Sequence, residues 1–327
     1  MKILIIRRDN IGDLVCTTPL IRSLRRQLPD AKIEVLATRY NSAVLENNPN
    51  IDALHSYTKA KHRVPGESLL SIYWQRFLTI LKLRKSHFDV ALLPGNVNDS
   101  ALRFARWIAP QRIIIQTHPD QIGGHEVERC CNLLNKLGLV YEDPAPLIVA
   151  NPDLALQIRF RHSIPENTPI IGIHISARKP SQRWPTECFS DLINKISQIV
   201  PNTTFMLLWA PGSANNPQHP GDDEKAEAII SKTTTFPVFP VPTHHLEELI
   251  ASLSLCNSVI CADGGAMHLA AGLGKPIVAL FGQSTVDRWK PWRVPQVVIQ
   301  KPSLEVNDIG VDEVVDAFLR LNHLGTS

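Results

Sequence analysis

The sequence predicts an α/β protein of two Rossmann-like lobes, each a parallel sheet covered by helices on both faces. Three observations carry this reading. Short, β-rich apolar runs alternate with segments of helical periodicity along almost the whole chain, and that alternation makes parallel sheets buried on both faces. The alternation comes as two runs of similar length, interrupted by a stretch around residues 141–151 that is rich in proline and acid. The 327 residues suffice for two domains of roughly 150 residues, each able to bury a core without metal or disulfide help. The expected organisation is a first lobe over 1–150, a linker over 151–168 and a second lobe over 169–327.

Residues 2–7 read as a buried strand, an apolar run bounded by basic residues. The helix after it sets Leu20, Ile21, Leu24 and Leu28 on one face and Arg22, Arg25 and Arg26 on the other. Pro19 either kinks that helix or restarts it with Thr18 as cap. Strands are expected near 33–37, 53–55, 90–93 and 112–115. Residues 69–85 form a long helix carrying Arg76, Lys82, Arg84 and Lys85, and a helix over 126–137 ends at Gly138. A helix over 151–162 connects the halves. The second half then gives strands at 170–175, 204–209, 258–262 and 277–280. Its helices fall at 187–199, 223–231, 245–253, 265–272 and 311–321.

Composition excludes several classes. The opening apolar run is too short for a secretory segment, and no run reaches the ~18 residues of a membrane span. Six cysteines without CxxC spacing, two of them adjacent, point to buried reduced thiols and a cytoplasmic protein. Net charge is +3 but uneven: residues 1–150 hold 20 Lys+Arg against 14 Asp+Glu. A basic first half suits an anionic acceptor or an anionic membrane surface, or is only a solvated face. There is no GxGxxG, GxSxG, GxxxxGK[ST] or HExxH, so dinucleotide, hydrolase, P-loop and zinc-protease chemistry are disfavoured, and no metal site is expected.

Ligands of open parallel sheets bind at the carboxyl ends of strands, so the cleft between the lobes is the expected active site. Four strand-to-helix turns carry suitable residues. The first is Arg8-Asp9-Asn10-Ile11-Gly12-Asp13, where Asp13 is either a helix-capping carboxylate or a general base. The second, Asp263-Gly264-Gly265-Ala266-Met267-His268, bares backbone amides at a helix start, as a pyrophosphate site needs. Asp263 there caps the helix or binds a sugar hydroxyl, and His268 donates to phosphate or is a buried structural histidine. The third runs through His174, Ser176, Ala177, Lys179 and Arg183, whose cations either neutralise a leaving diphosphate or sit on a solvated loop. The fourth joins Trp209-Ala210-Pro211-Gly212 to Asp222, Asp223 and Glu224, a ribose-binding carboxylate or a plain helix-start cluster.

Taken together these segments resemble glycosyltransferase family 9, the bacterial lipopolysaccharide heptosyltransferases. Ile5-Ile6-Arg7-Arg8-Asp9-Asn10-Ile11-Gly12-Asp13, continuing to Thr18-Pro19-Leu20, is close to that family's first motif. Asp263-Gly264-Gly265-Ala266-Met267-His268-Leu269-Ala270-Ala271, then Gly274-Lys275-Pro276 and Leu280-Phe281-Gly282, matches its second. Two departures stand out. Gln182 replaces a lysine often found two places before the Trp-Pro pair, and Gly264 replaces a frequent threonine.

The resemblance implies a GT-B fold with the two sheets facing the interlobe cleft and the last helix returning to the first lobe. It implies an inverting transferase that moves heptose from ADP-heptose to a lipid A-core saccharide, with Asp13 as base. Donor contacts would come from Asp263, Gly264, Gly265, His268, Ser176, Ala177, Lys179, Arg183 and Glu224, with His244 and His245 near the adenine. Acceptor contacts would come from Arg8, Asn10 and Arg63, within a basic set that includes Arg22, Arg25, Arg26, Lys59 and Lys61. No cofactor, metal or nucleic acid is expected, and peripheral contact with the inner face of the inner membrane is. Rival readings are another nucleotide sugar or glycan acceptor, a non-catalytic nucleotide-sugar-binding protein, and a two-lobed sugar-nucleotide epimerase.

Overall fold

A computed structural model describes residues 1–59, 68–95, 99–116, 124–215 and 220–324. The chain divides into two compact units, Met1–Val149 and Ala150–Ser327. The stretch read as a linker belongs largely to a helix of the second unit.

The first unit runs β1 (Lys2–Ile6), α1 (Ile11–Val15), α2 (Thr18–Gln27), β2 (Lys32–Thr38), β3 (Ala53–Tyr57), α3 (Leu69–Lys85), β4 (Val90–Leu93), α4 (Asp99–Ile108), β5 (Arg112–Ile115) and α5 (Glu126–Cys131). All strand pairs are parallel and the sheet order is β3-β2-β1-β4-β5. Strand β1 is central, with Ile5 opposite Val35 on one side and Leu92 on the other. It is apolar on both faces because helices cover both. One face packs Leu4, Ile6, Leu36 and Leu93 against Ile80 and Leu83 of α3 and Phe104 and Ile108 of α4.

The Pro19 ambiguity resolves as a restart. The chain leaves α1 at Cys16, Thr17 caps α2, and Pro19 sits in the first turn, where a missing N–H costs nothing. Thr17 and Thr18 return their hydroxyls to the carbonyls of Asp13 and Val15. The helix expected over 126–137 is broken. From Cys130 onward the backbone bonds tighten to i→i+3, and the segment ends as one 3₁₀ turn, Asn135–Leu137, before left-handed Gly138.

The second unit runs α6 (Pro152–Arg161), β6 (Ile170–His174), α7 (Thr186–Ile199), β7 (Thr204–Trp209), α8 (Asp223–Ser231), β8 (Val238–Pro242), α9 (Leu246–Leu255), β9 (Ser258–Ala262), α10 (Gly265–Gly272), β10 (Ile277–Phe281), α11 (Val286–Trp289), β11 (Gln296–Gln300) and α12 (Val311–Leu324). Its parallel sheet has the order β11-β10-β9-β6-β7-β8. Strands β8 and β11 were not expected from the sequence. Both are edge strands, and β8 contains Pro240 and Pro242, residues that only an edge tolerates. The last helix is built into this unit's core through Val314, Val315, Phe318 and Leu321. His244 and His245 precede α9 instead of lying on it. Their backbone N–H groups donate to Glu248, with His245 as the capping residue.

In each sheet the strand order reverses once, between β1 and β4 and between β6 and β9. Such switch points leave a crevice outside the carboxyl ends of the strands, because the connections on either side leave in opposite directions. The fold therefore marks the turns after β1, β4, β6 and β9 before any side chain is considered.

Packing at the second switch point is tight. A Cβ on Gly172, mid-β6, would lie 2.7 Å from Cys256 Sγ but 3.5 Å from Cys256 Cβ. Gly172→Ala should cost about 1–3 kcal/mol by overpacking, and Gly172→Ala with Cys256→Ala should recover most of it. Urea denaturation of the four forms measures the coupling, and simple additivity would contradict the packing.

Candidate functional site

The turn after β1 is organised by Arg7. It continues the row of Ile3 and Ile5 on the central strand, so its side chain enters the protein and is 1% exposed. Its Nη2 lies 2.6 Å from Asp13 Oδ1 and 2.9 Å from Glu126 Oε1 of α5, and its Nε lies 3.3 Å from Asp9 Oδ2. Glu126 is equally buried. Gly95, after β4, has a φ of +90°, and a Cβ there would collide with the guanidinium. One cation thus joins the turns of both strands at the first switch point to α5.

Asp13 is the third residue of α1, and both carboxylate oxygens are engaged. Oδ1 accepts from Arg7, and Oδ2 accepts from the Asn10 N–H at 3.0 Å and the Asn10 Nδ2 at 2.9 Å. The cap reading is therefore correct as far as it goes. Burial pushes the carboxyl pKa up, but Arg7 and the Asn10 donors outweigh it and hold Asp13 below the usual carboxylate range. Its neighbour Asp9 moves the other way: burial and the charge of Asp13 outweigh Arg7 and raise it. Three bonds leave about one of the roughly four lone-pair positions of Asp13 for another donor, and its side chain is 12% exposed.

The residues assigned to an acceptor have other partners. The Arg8 guanidinium stacks on Phe104 at 4.2 Å and bonds Tyr57 Oη and Ser100 Oγ. Asn10 remains exposed while it caps. Arg22 donates to the Ala145 carbonyl, Arg25 is spent on Pro29, Ala31 and Asp52, Arg26 pairs with Glu142, and Lys59 donates to the Arg8 carbonyl. These cations therefore have partners within the first unit, while the Arg26 side chain stays 77% exposed. Lys61 and Arg63 lie outside the described residues.

At the second switch point Gln182 Nε2 donates to Asp263 Oδ2 at 2.7 Å, joining the turns after β6 and β9. Asp263 is buried, and Gly264 is exposed with open space where a side chain would go. Gly264 and Gly265 lead directly into α10, so the helix start carries backbone N–H groups and positive dipole. His268 is buried edge-on to Trp289 at 5.9 Å, a packed position. Ser176 Oγ accepts from the Ala210 N–H, tying the turns after β6 and β7. Arg183 Nε donates to the Ala177 carbonyl, and Lys179 is exposed. Asp223 takes the Trp209 indole N–H and the Gly212 N–H, so it is a loop clamp, whereas Glu224 is exposed and accepts a long bond from Ala214.

Two features of this unit were not anticipated. Lys225 reaches under the turn after β6, donating to the Ile175 and Trp184 carbonyls and lying 4.7 Å from the Phe189 ring. Burial, then Arg183, bring it down to about 8, so it is mainly charged at neutral pH. His174 is pushed down to about 4 by burial and by Lys225, and is neutral. Sequence alone showed Lys225 only as the next residue in an acidic cluster. Among the described residues no group of three His, Cys, Asp or Glu side chains forms a metal site.

With this geometry in place, similarity to known proteins is informative. The family described as Glycosyltransferase family 9 (heptosyltransferase) matches residues 81–309. Lipopolysaccharide heptosyltransferase 2 of Salmonella typhimurium is 26% identical over 322 residues, covering 89% of this chain and 85% of that protein. A glycosyl transferase family 9 structure from Veillonella parvula superposes with a TM-score of 0.83 at 21% identity, covering 98% of this chain and 96% of the other. The Escherichia coli ADP-heptose lps heptosyltransferase II structure gives 0.79 at 19% identity with both chains fully covered. These structural likenesses establish the fold, two parallel α/β sheets of the GT-B kind.

Arg7→Met should destabilise the protein by about 3–5 kcal/mol at pH 7, because it removes the buried cation that Asp9, Asp13 and Glu126 share; urea midpoints of the two proteins check this. For His174 the folded value lies below the unfolded one. Its contribution is therefore complete above pH 6.5 and lost as pH falls towards 4, by up to about 3 kcal/mol. His174→Gln should flatten that slope, and an unaltered pH profile would refute it.

Proposed function

The chain belongs to glycosyltransferase family 9 (heptosyltransferase), and from that premise we propose that it transfers a heptose from ADP-heptose to a lipopolysaccharide inner-core acceptor, with Asp13 as the general base. The relatives named for lipopolysaccharide and ADP-heptose support the substrate class. The observation that carries the residue assignment is a nearly buried carboxylate at the first switch point, kept ionised by Arg7 and left with one accepting position.

In this reading the acceptor hydroxyl donates to the open position on Asp13. Its oxygen attacks the anomeric carbon as the bond to the diphosphate oxygen breaks, and its proton passes to the carboxylate. Attack from the face opposite the nucleotide gives inversion through an oxocarbenium-like transition state. Arg7 lowers the basicity of Asp13 yet guarantees its ionised form, and Glu126 and Asp9 keep Arg7 partnered after Asp13 is protonated. The leaving ADP carries the developing negative charge. The amides at Gly264 and Gly265 and the cations of Lys179 and Arg183 meet that charge without requiring a metal.

Asp263 fixes the sugar with the oxygen that Gln182 leaves free, Ser176 and Ala177 border the phosphates, and Glu224 takes the ribose. His268 supports the start of α10 from within. Gln182 is neutral where the family often has lysine, so Lys225 behind the same turn supplies positive charge there. A lipid-linked acceptor places the reaction at the cytoplasmic face of the inner membrane.

Asp13→Asn, which preserves shape, should lower turnover by about 10²–10⁴, whereas turnover within threefold of wild type would remove Asp13 from the role. Because Asp13 stays ionised below the usual carboxylate range, it should give no acid limb in kcat/KM between pH 5 and 7. The substrate assignment is tested by incubating the protein with ADP-heptose and other nucleotide sugars plus truncated core acceptors, with products read by mass spectrometry. Transfer from another nucleotide sugar alone would overturn the donor, and donor consumption without acceptor would favour an epimerase.

A further inference from the structure

Helix α3 has three faces. Ile72, Ile80 and Leu83 are buried towards the first unit's core. Ser71, Gln75 and Thr79 form a polar side, bonded to one another along the helix. The third face is apolar and open. Leu70, Trp74, Phe77, Leu78 and Leu81 follow one another at i, i+4, i+7, i+8 and i+11, the spacing of one helical stripe. They are 83%, 60%, 47%, 46% and 37% exposed. The rings of Trp74 and Phe77 lie 5.6 Å apart, part of one continuous surface.

The charged residues of α3 are all cationic. Arg84 and Lys85 continue the same face at its carboxyl end, Lys82 is exposed beside it, and α3 has no Asp or Glu. At that end Arg84 Nη1 donates to the carbonyl of Trp107 in α4. Trp107 is itself 51% exposed, and Arg103 and Arg106 on α4 are exposed. An apolar stripe of this length is rarely left in water by a soluble protein. Exposed tryptophans beside lysine and arginine match the headgroup region of an anionic bilayer. Among the described residues no helix is long and apolar enough to cross a membrane, so such contact would be with the surface.

We infer that the exposed α3–α4 face is a membrane-docking surface, with α3 lying in the plane of an anionic lipid interface. The 17 residues of α3 would lay about 25 Å of helix along the surface, with the apolar stripe in the acyl boundary and the cations among the phosphates. Each cation at such a surface is worth about fivefold in affinity and is weakened by salt. This refines the membrane contact that the proposed lipid-linked acceptor calls for, but its test uses neither donor nor acceptor.

The test is flotation of the purified full-length protein with vesicles of phosphatidylethanolamine and phosphatidylglycerol, against phosphatidylcholine alone. Binding to the anionic vesicles is expected, falling as salt rises. Leu70→Asp with Trp74→Asp should weaken it at least tenfold. Lys82→Glu with Arg84→Glu and Lys85→Glu should abolish the preference for anionic lipid. Phe160→Asp, at a residue of the second unit that is 89% exposed, should leave binding unchanged. Circular dichroism and the thermal midpoint should match wild type for the Leu70 and Trp74 variant, because neither side chain is in the core. Wild-type protein that ignores anionic vesicles would overturn the proposal, as would undiminished binding by the Leu70 and Trp74 variant. Light scattering that finds a dimer, converted to monomer by the same two substitutions, would assign the face to a second copy instead. Transfer to a soluble, lipid-free acceptor should survive these substitutions, so failure of the docking face and failure of the transferase reading give different results.

Discussion

The first unit depends on one buried guanidinium. Arg7 is placed inside the protein by the alternation of β1, and a cation there is sustained only by partners from several directions. Those partners come from the turn after β1 and from α5, and Gly95 after β4 leaves room for the guanidinium. The conformation of the turn, the seating of α5 and the glycine requirement at position 95 follow from satisfying that charge. The catalytic proposal also rests on it, because Arg7 decides that Asp13 is an anion.

The cluster has more carboxylates than cations. Asp9, Asp13 and Glu126 face Arg7 together, and the result is a division of roles between neighbours. Asp13 receives the shortest contact and two donors from Asn10 and goes down, whereas Asp9 lies farther from Arg7 and goes up. Two aspartates four residues apart thus differ because of geometry that their identity does not contain. The second unit solves a related problem with neutral groups. The Gln182 side-chain amide donates a hydrogen bond to Asp263, and the Ser176 hydroxyl holds the β7 turn. Gly264 and Gly265 open α10, whose start carries unpaired backbone N–H groups.

Much of this was legible in the sequence, for identifiable reasons. Central parallel strands are continuous apolar runs, so β1, β4, β7 and β9 were placed within a residue or two, and the four candidate turns follow from their ends. Asp13 and Asp263 were visible because each sits just past such a run and before a helix. The edge strands were hidden because β8 carries two prolines and only partial burial, a pattern no different from a loop. The break in the helix after Cys131 was hidden because its residues are helix-compatible. The basic residues from Arg22 to Arg26 were legible as charge but not as partners, since the carbonyls and carboxylates that occupy them come from elsewhere in the chain.

What the sequence determined by itself is the alternation of elements, the two-sheet α/β class, and the turns at Asp13 and at Asp263–His268 as strand-to-helix junctions at the carboxyl ends of central strands. These are local properties, because periodicity and turn chemistry act over a few residues. Only the tertiary structure decided that Asp13 is held as an anion by Arg7, that Asp263 is bonded to Gln182 81 positions away, and that one face of α3 is left uncovered. Each of these depends on which distant group arrives at a given side chain, and strand order sets that. Two of the three faces of α3 are apolar in sequence, and packing buries only one of them.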